Sequence, residues 1–229
     1  MKIKDNVKQL LKEIPKDVTL VAAAKTRTSE EILEAIDAGI QVIGENYIKD
    51  VKKVYPKIGK KAKWHFIGTP ETQKHDLLRR KNLEIFDMIE TIDSIEIAKE
   101  IDKKCTQISK VMIVLIEINS GREPQKSGVL PENAEKLIKE ISYSLQNIKV
   151  RGLMTMGPRF GDPEKARPYF KNTKEIFEEI KKMDIPNVEM EYLSMGMSNT
   201  YLIAIEEGAN IIRVGTKIFG ERSYQGENK

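Results

Sequence analysis

Eight short runs of β-branched and other apolar residues recur along this chain, and each is followed by a stretch with helical periodicity. Strands joined in this way pair in parallel, because a parallel neighbour can be reached only through a long crossover, usually a helix. The predicted strands are Val18–Lys25, Val42–Tyr47, Lys63–Gly68, Met88–Asp93, Val111–Asn119, Val150–Met156, Glu191–Gly196 and Asn210–Thr216. Predicted helices fill Ser29–Ala38, Ile48–Tyr55, Glu71–Arg80, Ser94–Ile108, Pro131–Leu145, Pro163–Met183 and Ser198–Glu207, and one more, Asp5–Ile14, precedes the first strand. Ser29 ahead of Glu30 and Glu31 marks a helix start, while Gly39 and Gly208 follow their helices where a left-handed residue is wanted.

Eight such units in 229 residues predict an α/β fold, a single (β/α)8 TIM barrel over residues 1–229 with an extra N-terminal helix at about 5–14. An open doubly wound sheet would want a glycine-rich turn after the first strand, and Ala24-Lys25-Thr26-Arg27-Thr28 contains no glycine. No linker, internal repeat or low-complexity segment divides the chain, and at a prior of about 150 residues per domain a second full-sized catalytic domain is not expected.

The balance of charge says little about partners: 39 basic residues face 35 acidic ones. The local excess at Lys49–Lys63, seven lysines against Asp50, has only Tyr55 as an aromatic companion and reads as a solvated face, not a nucleic-acid surface. The apolar runs Leu20–Ala24 and Val111–Ile116 fall far short of the roughly 20 residues that span a bilayer. Met1–Asp17 mixes lysines with acids and reads as no secretory signal. One cysteine, Cys105, on the apolar face of its helix with Ile97, Ala98, Ile101 and Ile108, reads as core and points to a reducing, cytoplasmic setting. No membrane or nucleic-acid partner is expected. His65 and His75 stand ten residues apart without a ligand cluster, so no metal is expected either.

In a barrel, chemistry sits at the C-terminal ends of the strands. Lys25 ends the first strand after three alanines, with room for its amine to reach a carbonyl carbon in the mouth. Two readings stay open: a Schiff-base lysine, or a strand-end lysine paired with a carboxylate. Ser194-Met195-Gly196-Met197-Ser198 runs from the seventh strand into a helix with Ser198 as its N-cap, and Gly215-Thr216 follows the eighth, the pair of loops that commonly binds phosphate. Arg213 shares the parity of Gly215 and points into the barrel, where it needs an acceptor: Glu45, another carboxylate, or a ligand atom. Trp64 and Phe66 are expected to pack outward under the helices, and Met154, Met156, Met195 and Met197 to fill core.

Ala24-Lys25-Thr26, Gly44-Glu45-Asn46-Tyr47, Trp64-His65-Phe66-Ile67-Gly68, Lys126-Ser127-Gly128, Gly152-Leu153-Met154-Thr155-Met156, Leu193-Ser194-Met195-Gly196-Met197-Ser198 and Arg213-Val214-Gly215-Thr216-Lys217-Ile218-Phe219-Gly220 occur in this order. Together they resemble, over essentially the whole chain, the YggS/PROSC family of pyridoxal 5′-phosphate (PLP) homeostasis proteins. The resemblance implies a barrel of the alanine racemase N-terminal kind that carries PLP as an internal aldimine on Lys25. It implies phosphate contacts from Ser194, the following backbone at Met195, Gly196 and Ser198, and Gly215 and Thr216. It also implies Arg213 at the pyridine nitrogen and Asn46 near the ring. Thr69-Pro70-Glu71-Thr72-Gln73-Lys74 departs from the family's usual leucine-glutamine-x-asparagine-lysine stretch, and Asn199 replaces a common aspartate.

An arginine beside the pyridine nitrogen disfavours its protonation and weakens the ring as an electron sink. With no second acid/base evident, the expected role is a PLP carrier or reservoir without catalytic turnover, a monomer with PLP and PLP-dependent apoenzymes as its partners. The rivals are a PLP-dependent amino-acid racemase completed by a partner's residue, and a Schiff-base aldolase acting on a phosphosugar.

Overall fold

The computed structural model describes residues 2–158 and 161–221. Helix α1 (Ile3–Glu13) precedes eight strands: β1 (Thr19–Ala23), β2 (Val42–Glu45), β3 (Lys63–Phe66), β4 (Met88–Ile92), β5 (Met112–Glu117), β6 (Ile148–Met154), β7 (Val188–Ser194) and β8 (Ile211–Val214). Each strand pairs in parallel with the next, and β8 closes on β1. The predicted (β/α)8 barrel is therefore the fold. The strands stop one or two residues short of their predicted C-terminal ends, because the chain leaves the hydrogen-bonded ladder at the mouth. Lys25 accordingly lies two residues beyond β1.

Around the barrel run α2 (Ser29–Asp37), α3 (Ile48–Ile58), α4 (Pro70–Leu77), α5 (Arg80–Leu83), α6 (Ile95–Gln107), α7 (Ala134–Ser144), α8 (Arg167–Lys181), α9 (Tyr201–Glu206) and α10 (Thr216–Phe219). Helix α2 is capped by Thr28 instead of Ser29: the Thr28 hydroxyl accepts from the Glu31 N–H, and the Glu31 carboxylate accepts from the Thr28 N–H in return. Ser29 is already inside the helix and buried. Helix α3 runs through Pro56, where the sequence predicts an end at Tyr55, because Val54 and Ile58 on its inner face are buried against the barrel. Gly39 and Gly208 follow α2 and α9 at φ +122° and +92°, as expected of helix-ending glycines.

Two apolar layers result from strand alternation. Outward residues, including Trp64, Phe66, Met195 and the helix α6 residues Ile97, Ile101 and Cys105, form the large core under the helices. Burial pushes the Cys105 thiol up to about 11, so it stays protonated as a core residue does. Inward, Val21, Val42, Met88, Leu115, Met154 and Ile211 plug the lower barrel. The next inward positions along three of these strands are Glu90, Glu117 and Arg213, so the interior changes from apolar to charged on approaching the mouth. No helix among the described residues is long and apolar enough to cross a membrane. All seven lysines of Lys49–Lys63 are exposed, with Lys52 paired to Asp76 and Lys57 to Glu30.

Candidate functional site

The turn after β1 is held in a demanding shape. Thr26 has φ +68°, unusual for a β-branched residue, and it is fixed by its N–H on the Asp50 carboxylate (3.3 Å) and by the Arg27 N–H on the Ala24 carbonyl (2.9 Å). Lys25 emerges from this turn half-buried. Its Nζ donates to the Tyr47 hydroxyl at 3.1 Å and lies 4.5 Å from the centre of the Tyr47 ring. Among the described residues no carboxylate stands within ion-pair distance of it. The carboxylate-paired reading of Lys25 thus loses its partner.

On the β2 side of Lys25, the loop of Asn46 and Tyr47 is clamped from three directions. The Asn46 side-chain amide donates to the Ile67 carbonyl (3.1 Å). Gln73 of α4 donates to the Asn46 carbonyl (2.6 Å) and accepts from the Ile48 N–H (2.8 Å). Gly68 crosses so close that a Cβ there would sit 2.0 Å from the Asn46 carbonyl oxygen. The altered Thr69–Lys74 stretch therefore still supplies a side chain, Gln73, that orders this loop. A cavity of about 170 Å³ opens beside it, lined by Asn46, Tyr47, Gly68, Thr91, Glu117 and Met156 among others. Met156 is 38% exposed there, so it lines the mouth and does not fill core as expected. A larger groove of about 950 Å³ lies over α4 and α6, away from Lys25.

On the β8 side, Ala22 pairs with Val214, which brings the loop after β8 alongside the Lys25 turn. A Cβ on Gly215 would lie 3.2 Å from the Ala23 carbonyl. The loops after β7 and β8 are tied together: the Arg213 N–H donates to the Gly196 carbonyl (3.0 Å), and the Gly215 N–H to the Ser198 hydroxyl (3.2 Å). Ser198 is therefore no helix cap, since α9 begins only at Tyr201. Among the described residues, the backbone N–H groups of Gly196, Ser198, Thr216 and Lys217 have no intramolecular acceptor. Gly196 adopts φ +88°, and a side chain there would meet Ala204 and Tyr201 at 2.6 and 2.9 Å. Such a cluster of free donors on close-packed glycine backbone suits a phosphate.

Two of the expected phosphate contacts have other employment. Ser194 is fully buried; its hydroxyl donates to Glu90 (2.6 Å) and accepts from Arg213, so it has no proton left for an anion. The Met195 N–H goes to the Ile211 carbonyl (3.0 Å), and its side chain sits in the outer core. Thr216 is exposed at the start of α10, and Gly196, Ser198 and Gly215 remain with it around the donor cluster.

Arg213 does point inward, but its acceptor is not Glu45. Its guanidinium donates to Ser194 and to the Thr155 carbonyl (2.9 Å), with a Glu90 oxygen at 3.7 Å. Glu90 in turn meets His65 Nδ1 at 2.6 Å. Burial alone would raise the Glu90 carboxyl, but His65, Arg213 and the Ser194 hydroxyl hold it below the usual carboxylate range. Burial lowers the Arg213 pKa, against the opposing pull of Glu90 and Glu117. Glu117, on the next wall, is pushed up to about 7 by burial and by the Asp93 charge, with Arg213 opposing. Glu45 has the opposite parity to Val42 and Gly44, and so faces outward under α3 near Asp50.

Sequence reasoning placed Tyr47 at a strand end without giving it a role, and missed Gln73, Glu90 and Glu117. The two glutamates had a signal: both share inward parity with plug residues, Met88 and Leu115. A phosphorylated aldehyde fits the set as a whole, with a carboxylate-free amine, a backbone donor cluster on one side and a buried cation below.

Comparisons with known proteins show the family. Residues 1–223 match the family described as alanine racemase, N-terminal domain. A protein of Aquifex aeolicus (strain VF5) named pyridoxal phosphate homeostasis protein is 41% identical over 206 residues, covering 90% of this chain and 87% of that one. The structure of PipY of Synechococcus elongatus PCC7942 with PLP bound superposes with a TM-score of 0.84 at 27% identity, covering 95% of this chain and all of that one. An alanine racemase of Clostridium difficile 630 shares the fold (TM-score 0.77, 16% identity), and 99% of this chain matches 58% of it. The chain belongs to the alanine racemase N-terminal domain family, and within it to the pyridoxal phosphate homeostasis proteins.

Proposed function

We propose that this protein binds PLP covalently through Lys25 and serves PLP homeostasis as a carrier or reservoir. The observation that carries the reading is the Lys25 amine, free of any carboxylate among the described residues and set between the Tyr47 loop and the Gly196, Ser198, Thr216 and Lys217 donors. The names of the relatives, and the PLP held by the PipY structure, support the same cofactor. When bound, PLP supplies an aldehyde that condenses reversibly with amines. The Gly196, Ser198, Thr216 and Lys217 N–H groups would hold its phosphate, Asn46 would border the ring, and Arg213 would face the ring nitrogen. Arg213 has Glu90 and His65 behind it and no acid positioned to replace it, so the site keeps a cation where a strong electron sink would need a protonated ring nitrogen. This favours holding PLP over racemising an amino acid.

The test is transfer. Protein loaded with PLP and freed of excess is mixed with the apo form of a PLP-dependent enzyme. Restored enzyme activity, with no exchange of amino-acid α-protons into deuterated solvent by the loaded protein itself, is the expected result. Rapid α-proton exchange would favour a racemase, and failure to activate any apoenzyme would remove the carrier role. A cytoplasmic location, a monomeric state and PLP-dependent apoenzymes as recipients belong to the same proposal.

A further inference from the structure

Condensing Lys25 with an aldehyde is a problem of moving protons. The ammonium must first give up one proton so that its lone pair can add to the carbonyl carbon. A carbon–nitrogen bond forms as the carbonyl π bond opens onto oxygen. A second proton then leaves nitrogen, and the oxygen, having taken up both, departs as water while the C=N bond closes. Every proton moved starts on Nζ, and release runs the same steps backward. A group that touches Nζ and can both accept and give a proton is therefore the one that sets the rate.

Among the described residues, the Tyr47 hydroxyl is the only hydrogen-bond partner of Nζ, at 3.1 Å. Asp50 is occupied by the Thr26 N–H, Glu90 by His65 and Ser194, and Glu45 faces the far side of β2; Glu117 lines the same cavity as Tyr47 but makes no hydrogen bond or ion pair to Nζ. Tyr47 is also held more firmly than a surface tyrosine would be. Gln73 bonds the residues on both sides of it, its own carbonyl accepts from the Asp50 and Val51 N–H groups at the start of α3, and Lys49 lies 5.5 Å from the ring on which Lys25 also rests. We propose that Tyr47 is a catalytic residue of PLP capture and release, its hydroxyl relaying protons between Lys25 Nζ and the departing or attacking oxygen. This rests on Lys25 as the attachment point and names the group that makes the attachment exchangeable.

Tyr47→Phe keeps the ring over Lys25 and removes only the relay. Apo protein is mixed with PLP in a stopped-flow spectrometer, and release is followed after dilution into excess hydroxylamine. The expected result is that capture and release both slow tenfold or more, in step, and that adding imidazole buffer speeds the variant but not the wild type. Rates within twofold of wild type overturn the proposal, as does weaker binding that comes from faster release with capture unchanged, which would make Tyr47 structural. The wild-type capture rate in deuterated water is a check that needs no variant, and a rate unchanged there also overturns it. If the wild type shows no absorbance change with PLP at all, it is the underlying reading that fails.

Discussion

Glu45 is a buried carboxyl neither of whose oxygens has a hydrogen-bond partner among the described residues, and its replacement by glutamine has a calculable consequence. Burial, and then the charge of Asp50, push it up to about 8, while the Asn46 N–H opposes this without closing a hydrogen bond to it. An ordinary glutamate, as in the unfolded chain, titrates near 4.3. The folded protein therefore holds a proton here through the window in which the unfolded chain has lost it. Stability from this group is fully present below the unfolded value and is lost as pH rises toward about 8. At about 1.4 kcal/mol per unit, and with the partial titration at each end allowed for, the loss between pH 5 and 8 comes to about 3.5 kcal/mol. Glu45→Gln cannot titrate, so urea unfolding across that range should show the wild type losing about 3.5 kcal/mol more than the variant. The comparison of slopes is insensitive to whatever the buried amide costs at any one pH. Parallel stability curves for the two proteins would refute the argument that Glu45 is protonated in the fold.

Two other substitutions test the frame of the site. Glu90→Gln removes the counter-charge shared by Arg213 and His65 inside the barrel, and breaking a buried pair on one side costs about 3–5 kcal/mol, measurable by urea unfolding at pH 7. A loss under about 1 kcal/mol would mean that the network carries little of the fold. Gly68→Ala places a methyl 2.0 Å from the Asn46 carbonyl oxygen, so it should displace the Asn46–Tyr47 loop and weaken PLP binding at least tenfold in an absorbance titration; unchanged binding would show that the loop tolerates the shift.

The barrel was legible because its strands are apolar on both faces at their bases and are separated by capped amphipathic helices. What blurred the strand ends was propensity without pairing: Ala24-Lys25, Asn46-Tyr47 and Thr155-Met156 continue an extended reading past the last ladder partner. Helix α10, four residues long, is too short to carry a period. Lys25, Arg213 and Gly215 could be placed by strand order and parity alone. The same parity rule, applied to β2, would have put Glu45 outside the barrel and pointed to Glu90 as the acid near Arg213. Ser198 looked like a cap because a serine ahead of an apolar run has that pattern, whereas its partner is a backbone N–H 17 residues away. Gln73 lies 27 residues from Asn46 in sequence, and no local pattern announces a contact of that kind.

The central claim, that this barrel holds PLP on Lys25, is tested most directly by loading the protein with PLP, reducing it with borohydride and mapping the modified peptide by mass spectrometry. The expected result is one phosphopyridoxyl adduct, on Lys25, and none on Lys25→Ala. An adduct spread over surface lysines, or the same labelling in the variant, would contradict it.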